Sequence, residues 1–202
     1  MLDEAYNSAD DSVKESSRAK FVREDIMSNG WLWAPVVNVW TPRNIDNPGM
    51  YGVFDEAGEG LGRIYTTEEL EDRLSGGKTE RGVRFSKDRT VSFAPLNTIK
   101  GGYHEKGTLA QDGAFIGNYE VEGAEALDRV AKEFRSKPYS WVVSNDSNEN
   151  IQTLSALSRH GILGDDRLDA NFDSNGNSRD GYVLSVSGSK LVAEGDALSE
   201  SK

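Results

Sequence analysis

The chain has 202 residues, with 34 acidic side chains against 23 basic ones, a formal net charge of −11 and no cysteine. That length suits one sizeable core or at most two small ones, and the charge repels phosphate backbones and anionic membrane surfaces, which argues against nucleic acid as a partner. The lack of cysteine excludes disulfides, thiolate nucleophiles and zinc–thiolate sites. No apolar run approaches the roughly 20 residues that a membrane-spanning helix needs. The start, Met1-Leu2-Asp3-Glu4, lacks the basic and apolar regions of a signal peptide. Its 21 glycines and five prolines, with abundant Asn and Asp, point to a loop-rich α+β domain.

In chain order, residues 1–30 are charged and Ser-rich and predict an N-terminal helical arm or linker. Its helix is expected from about Ser12 to Met27, stopped by Asn29-Gly30. Residues 31–187 read as a single globular domain. Val36 to Trp40 is a strand closed by Thr41-Pro42, and Met50 to Phe54 is the next. Glu56 to Gly60 reads as a hairpin-type turn, from which Leu61 to Tyr65 returns. Thr66-Thr67-Glu68-Glu69 signals a capped helix running to about Leu74, which Ser75-Gly76-Gly77 breaks. Arg89 to Phe93 is a strand ended by Pro95.

Asn97 to Gly113 is then a long polar loop holding His104. Alternation of Phe115, Gly117, Tyr119 and Val121 predicts a strand over 114–121. From Glu122 the spacing is helical, with Ala124, Leu127, Val130, Ala131 and Phe134 on one face. Tyr139 to Val143 is a strand, and 147–160 a helix with Ile151, Leu154 and Leu157 inward. Asp165 to Gly181 reads as a polar loop, Tyr182 to Val186 as the last strand, and 188–202 as a flexible tail. The expected fold is an α+β domain built on an antiparallel sheet of five or six strands, with helices packed on it and an N-terminal helix outside.

Candidate chemistry centres on Asn145-Asp146-Ser147-Asn148-Glu149-Asn150-Ile151. Placed at a helix N-terminus, a nucleophile at 147 would meet unpaired N–H groups and the positive dipole end. Plain capping by Asp146 or Ser147, with Glu149 completing a capping box, explains the same residues. The element order and this motif resemble the permuted NlpC-like domains related to lecithin-retinol acyltransferase, including domains of secreted toxins. The resemblance covers about residues 35–162 and implies a permuted papain-like fold. The family pattern carries a Cys after Asn, where this chain has Ser147. It carries a His after a Gly, where this chain has Met50 following Pro48-Gly49.

Met carries no exchangeable proton, and a Ser without a base attacks poorly. The resemblance therefore implies a catalytically degenerate papain-like domain, a pseudoenzyme acting as a structural or binding module with a protein partner. A phage particle or a secreted multi-domain protein would be its setting. The alternative is a hydrolase (peptidase, amidase or acyl transferase) with Ser147 as, or in place of, the nucleophile. His104, between Gly101-Gly102-Tyr103 and Glu105, is the candidate base of a Ser147–His104–Glu105 triad. The alternative is a surface loop histidine. His160, before Gly161, suits a helix C-terminus.

No cofactor is implied, with one exception. Asn171, Asp173, Asn175 and Asp180 place oxygens around Gly176 as a calcium loop does, although Tyr182 stands where the loop's bidentate Glu belongs. A polar turn is the other reading. Trp31, Trp33, Trp40, Trp141, Tyr51 and Tyr103 are candidates for a groove that takes sugar or peptide, or for core.

Overall fold

The computed structural model describes residues 2–54, 60–162, 165–174 and 181–183. The N-terminal arm forms α1 (Leu2–Asn7), α2 (Asp11–Lys14), α3 (Ser17–Lys20), a π-helical turn at Phe21–Ile26 and α4 (Met27–Asn29). The expected single helix is interrupted because Ser16 restarts it: the Ser16 hydroxyl accepts from Ala19 N at 3.2 Å. The arm is not peripheral. Ala5, Ala19, Val22, Ile26 and Met27 are buried, and Asp3 holds Arg129 at 2.5 Å.

The strands are β1 (Trp31–Trp40), β2 (Gly49–Phe54), β3 (Lys78–Glu80), β4 (Val83–Phe85), β5 (Val91–Pro95), β6 (Gly102–Tyr103), β7 (Tyr139–Trp141), β8 (Ile151–Ile162), β9 (Asp165–Ser174) and β10 (Gly181–Val183). They form one ten-stranded sheet, ordered β3-β4-β5-β2-β1-β8-β9-β7-β6, with β10 paired to the start of β1. The α+β class is as expected. The sheet is larger than the five or six strands predicted, and its β1–β10 and β7–β9 pairs are parallel.

Each face of the sheet carries a core. On the inner face α6 (Gly113–Lys132) and the N-terminal helices bury Trp40, Met50, Phe115, Ile116, Leu168 and Phe172. On the outer face α5 (Thr67–Leu74) covers only part of the sheet, closing Leu70 and Leu74 over Val37, Val39, Tyr51 and Phe93. The cap expected for α5 is present, with the Thr66 hydroxyl accepting from Glu69 N at 3.2 Å.

Three segments depart from expectation for physical reasons. Residues 114–121 are helical, because Asp112 caps α6 by accepting from Ala114 N at 2.8 Å. The helix turns sharply at Glu120, whose φ is 58°. Residues 151–162 form β8, not a helix. Leu154 enters the outer core and Leu157 the inner one, so a three-residue apolar spacing here serves the two opposite faces of a strand. Residues 165–174 form β9 in place of the first part of a polar loop. Among the return residues 61–65, the Gln152 side chain takes the place of a strand partner, accepting from Tyr65 N at 2.6 Å and donating to Arg63 O at 2.7 Å. Most of the turn expected at 56–60, the end of the last strand and the tail lie outside the described residues.

Phe115 sits fully buried, edge-on to Phe172 at 5.1 Å and to His104 at 5.4 Å. Phe115→Ala is expected to cost about 3–5 kcal/mol in urea unfolding, because the emptied site joins α6 to the sheet and cannot easily collapse. Ile64→Ala, at a side chain 82% exposed, should stay within about 0.5 kcal/mol of wild type.

Candidate binding face

The residues singled out for catalysis do not converge. Ser147 lies in the loop between β7 and β8, four residues before a strand. Its hydroxyl is 2.7 Å from Asn145 Oδ1 and 2.9 Å from Glu149 O, and it accepts from Glu149 N at 3.2 Å. Asn145 is buried, and its Nδ2 donates to Trp40 O at 3.2 Å and Glu149 O at 3.0 Å, pinning this loop to the end of β1. Met50 is fully buried opposite Trp40 and Ala94.

His104 is also buried, with its Nε2 2.8 Å from Ser140 Oγ, not near Ser147. Glu105 turns away to Lys137 at 2.5 Å. These groups lock loops together, and the Ser147–His104–Glu105 triad is not formed.

A different set of side chains does converge. In β9, Leu168, Ala170 and Phe172 enter the inner core, so the alternating residues Arg167, Asp169 and Asn171 face outward. Their partners across β8 are His160, Ser158 and Ala156. Across β7, Tyr139 pairs with Asp169 and Trp141 with Asn171, and Tyr103 of β6 pairs with Tyr139. Helix α5 does not reach this half of the sheet. Tyr103 is 54% and Trp141 44% exposed, large values for rings set on strands.

The middle of the face is an ion-pair row. Arg167 Nε donates to Asp169 Oδ1 at 2.6 Å, and Nη1 pairs with Asp165. Arg167 and Asp169 keep only 8% and 6% side-chain exposure. The guanidinium is covered by the Tyr103 and Tyr139 rings, 5.5 and 5.2 Å from their centroids. Those rings meet edge-on at 4.9 Å, and Trp141 leans on Tyr139 at 4.8 Å. Beside this stack opens a cleft of about 380 Å³, whose border includes Trp31, Trp141, Ser158, Arg159, His160, Asp169 and Asn171.

No family model and no curated protein matches the sequence. Among solved structures, the chain is similar to one described as "Accommodation of massive sequence variation in Nanoarchaeota by the C-type lectin fold", at 14% identity and a TM-score of 0.44. The likeness covers 86% of this chain and 79% of that one. At this level it carries no ligand or activity across.

The resemblance to permuted NlpC-like papain domains is corrected. This chain's own structure lacks the required geometry: His104 is held by Ser140, Met50 is buried in the sheet, and a strand follows Ser147. Ser147 opens no helix, and the segment after it is a long strand next to the central β1. With that fold go both the degenerate papain-like domain and its hydrolase alternative.

Of the candidate calcium ligands, Asn171 and Asp173 lie in β9, and Asn171 Oδ1 accepts from Asp173 N at 2.9 Å. Asn175 and Asp180 lie outside the described residues. Among the described residues, no three His, Cys, Asp or Glu side chains are grouped to hold a metal ion. Of the candidate groove aromatics, Trp40 and Tyr51 are core, whereas Trp31, Trp141 and Tyr103 belong to the outer face. Another cleft, of about 400 Å³, includes Arg89, Glu120 and Glu122; Arg89 holds Glu80 at 2.6 Å and lies 3.7 Å from Glu120. The ion-pair row of β9 was missed in the sequence. Its signal was the strict alternation of polar 167, 169 and 171 with apolar 168, 170 and 172.

Two outcomes test this geometry. Arg167→Leu leaves Asp169 buried without its counter-charge and should cost about 3–5 kcal/mol, read by urea unfolding. The double variant Arg167→Leu/Asp169→Leu should recover most of that loss. The second outcome concerns pH. Burial, with the Lys100 charge, pushes the His104 imidazole down to about 4, and burial pushes the Asp112 carboxyl up to about 6.

From about pH 4 to 6.5 the unfolded chain holds the extra proton on His104, so that group makes stability rise with pH. Over nearly the same window the folded chain holds the extra proton on Asp112, so that group makes stability fall as pH rises. Each effect is on the order of 3 kcal/mol, and they offset. The stability of Asp112→Asn should therefore climb more steeply than wild type between pH 4 and 6.5. Parallel profiles would show that Asp112 titrates as it does in the unfolded chain.

Proposed function

We propose that this chain is a binding module that engages a protein partner through the outer face of β6, β7, β9, β8 and the start of β1. The observation that carries this reading is the pair of exposed rings, Tyr103 and Trp141, stacked around a buried Arg167–Asp169 ion pair. Tyr, Trp and Arg are the residues that dominate protein interfaces, and they do so where a rigid framework holds them. Here the framework is the sheet itself. Each of these side chains projects from a strand whose alternate residues enter the inner core or back onto it, so little rotamer freedom remains to be lost on binding. Exposed rings clustered in this way leave apolar surface in water that a partner would bury.

The test uses the full chain as bait. A Tyr103→Ala/Trp141→Ala variant and an Ile64→Ala control, altered at an exposed apolar residue elsewhere, are compared with wild type, after circular dichroism shows all three folded alike. A partner bound by wild type should bind the double variant at least about 30-fold more weakly, the effect of losing about 2 kcal/mol at one hot spot. The control should bind as wild type does. Equal binding by the double variant, or equal loss in the control, overturns the reading.

A further inference from the structure

We infer that the partner places a cationic side chain, an arginine of a basic segment, in the cleft between Trp31 and Trp141, above Asp169. This rests on the reading of the outer face as a protein-binding surface and names the chemistry it selects.

The cleft has the three parts that a guanidinium needs. Two indoles border it, and an indole face is the strongest aromatic partner for a cation. Asp169 supplies the carboxylate. Its Oδ1 is taken by Arg167, while its Oδ2 is 3.8 Å from His160 Nδ1, beyond hydrogen-bond distance, and the residue borders the open space. Ser158 and Asn171 add polar groups beside it.

The same face already holds one guanidinium in this manner. Arg167 lies across the Tyr103 and Tyr139 rings, with carboxylates of Asp165 and Asp169 at its nitrogens. The cleft offers a related arrangement, with indoles in place of phenols; this chain's Arg159 also borders it, but its guanidinium is held by Asp166 at 2.6 Å and lies over the Phe134 ring. Charge favours the same occupant. Asp165 and Asp169 outnumber Arg167, so the row keeps a surplus negative charge, and the whole chain carries −11. An acidic molecule draws basic partners in and repels anionic ones. Lysine would satisfy the charge, but a planar, weakly hydrated guanidinium also stacks on indole while one N–H meets the remaining carboxylate oxygen.

The experiment is titration calorimetry on the full chain with four probes: hexaarginine, hexalysine, hexaglutamate and maltohexaose. Trp141→Ala and Trp141→Phe accompany wild type. Trp141 is exposed, so neither variant is expected to unfold the chain. Hexaarginine should bind wild type more tightly than hexalysine, at least tenfold more weakly to Trp141→Ala, and with most of its affinity kept by Trp141→Phe. Hexaglutamate and maltohexaose should not bind.

Hexaarginine affinity unchanged by Trp141→Ala would mean general attraction to an acidic surface, and overturns the inference. So would equal binding of hexalysine and hexaarginine. In either case, partner capture that still depends on Tyr103 and Trp141 leaves the protein-binding reading standing. Maltohexaose binding lost in Trp141→Ala would overturn both, and make the face a carbohydrate site.

Discussion

One carbonyl oxygen ties the structure together. Phe172 O accepts from Thr153 Oγ1 at 2.7 Å, Trp40 Nε1 at 3.0 Å and Asn38 Nδ2 at 3.3 Å. It is available because the β8–β9 register shifts there, between Leu154 and Ala156, which takes that carbonyl out of the regular ladder. A buried acceptor left without a donor would be costly, and three donors on β1 and β8 converge on it. Asn38 Nδ2 also donates to Ser155 Oγ at 2.7 Å. The network fixes the register of β1, β8 and β9 together. Register decides which side chains of β9 enter the core and which face out, since a slip of one residue exchanges the two sets. The outer face therefore exists in its present form because of a polar knot on the inner one.

The uneven cover of the sheet is the second constraint. Between Trp33 and Val37 the β1–β8 pairing is irregular, and Pro35 lies in that gap with no N–H to give. Beyond it β1 pairs with β2, in the part of the sheet that α5 covers; before it β1 pairs with β10. One strand thus serves a closed half and an open half. The buried ion pair of Arg167 and Asp169 belongs to the open half, where two tyrosine rings provide the cover that a helix provides elsewhere.

Much of the fold was legible where a local signal acted alone. The Thr66 cap, the strands at Met50 and Val91, and the apolar spacing after Glu122 needed only neighbours in sequence. The errors arose where two faces were buried at once or where polar residues formed a strand. Leu154 and Leu157 suggested a helix because each fed a different core. Asp165 to Ser174 suggested a loop because its acidic residues find their arginines, Asp165 and Asp169 at Arg167 and Asp166 at Arg159, only in the folded sheet. Met50 and Asn145 hold structural positions, the one buried in the sheet and the other pinning its loop to the end of β1. Trp31, Trp141 and Tyr103 were named as possible groove aromatics, yet nothing local distinguished them from Trp40 and Tyr51, which are core.

The network at Phe172 also sets a timetable. Its hydrogen bonds join residues 117 and 132 positions apart in the chain, and the cleft brings Trp31 beside Asn171. Pairings this distant close large loops before they gain any contact energy, which makes them slow to form. A ribosome-bound chain that has made β1 and β2 still lacks β8, which pairs with β1, and β9, which pairs with β8. The exposed half of β1, with its tryptophans, must wait unpaired until nearly all the described residues have been synthesised. Folding of this chain is therefore a late event, and the outer face is completed only when β8 and β9 arrive.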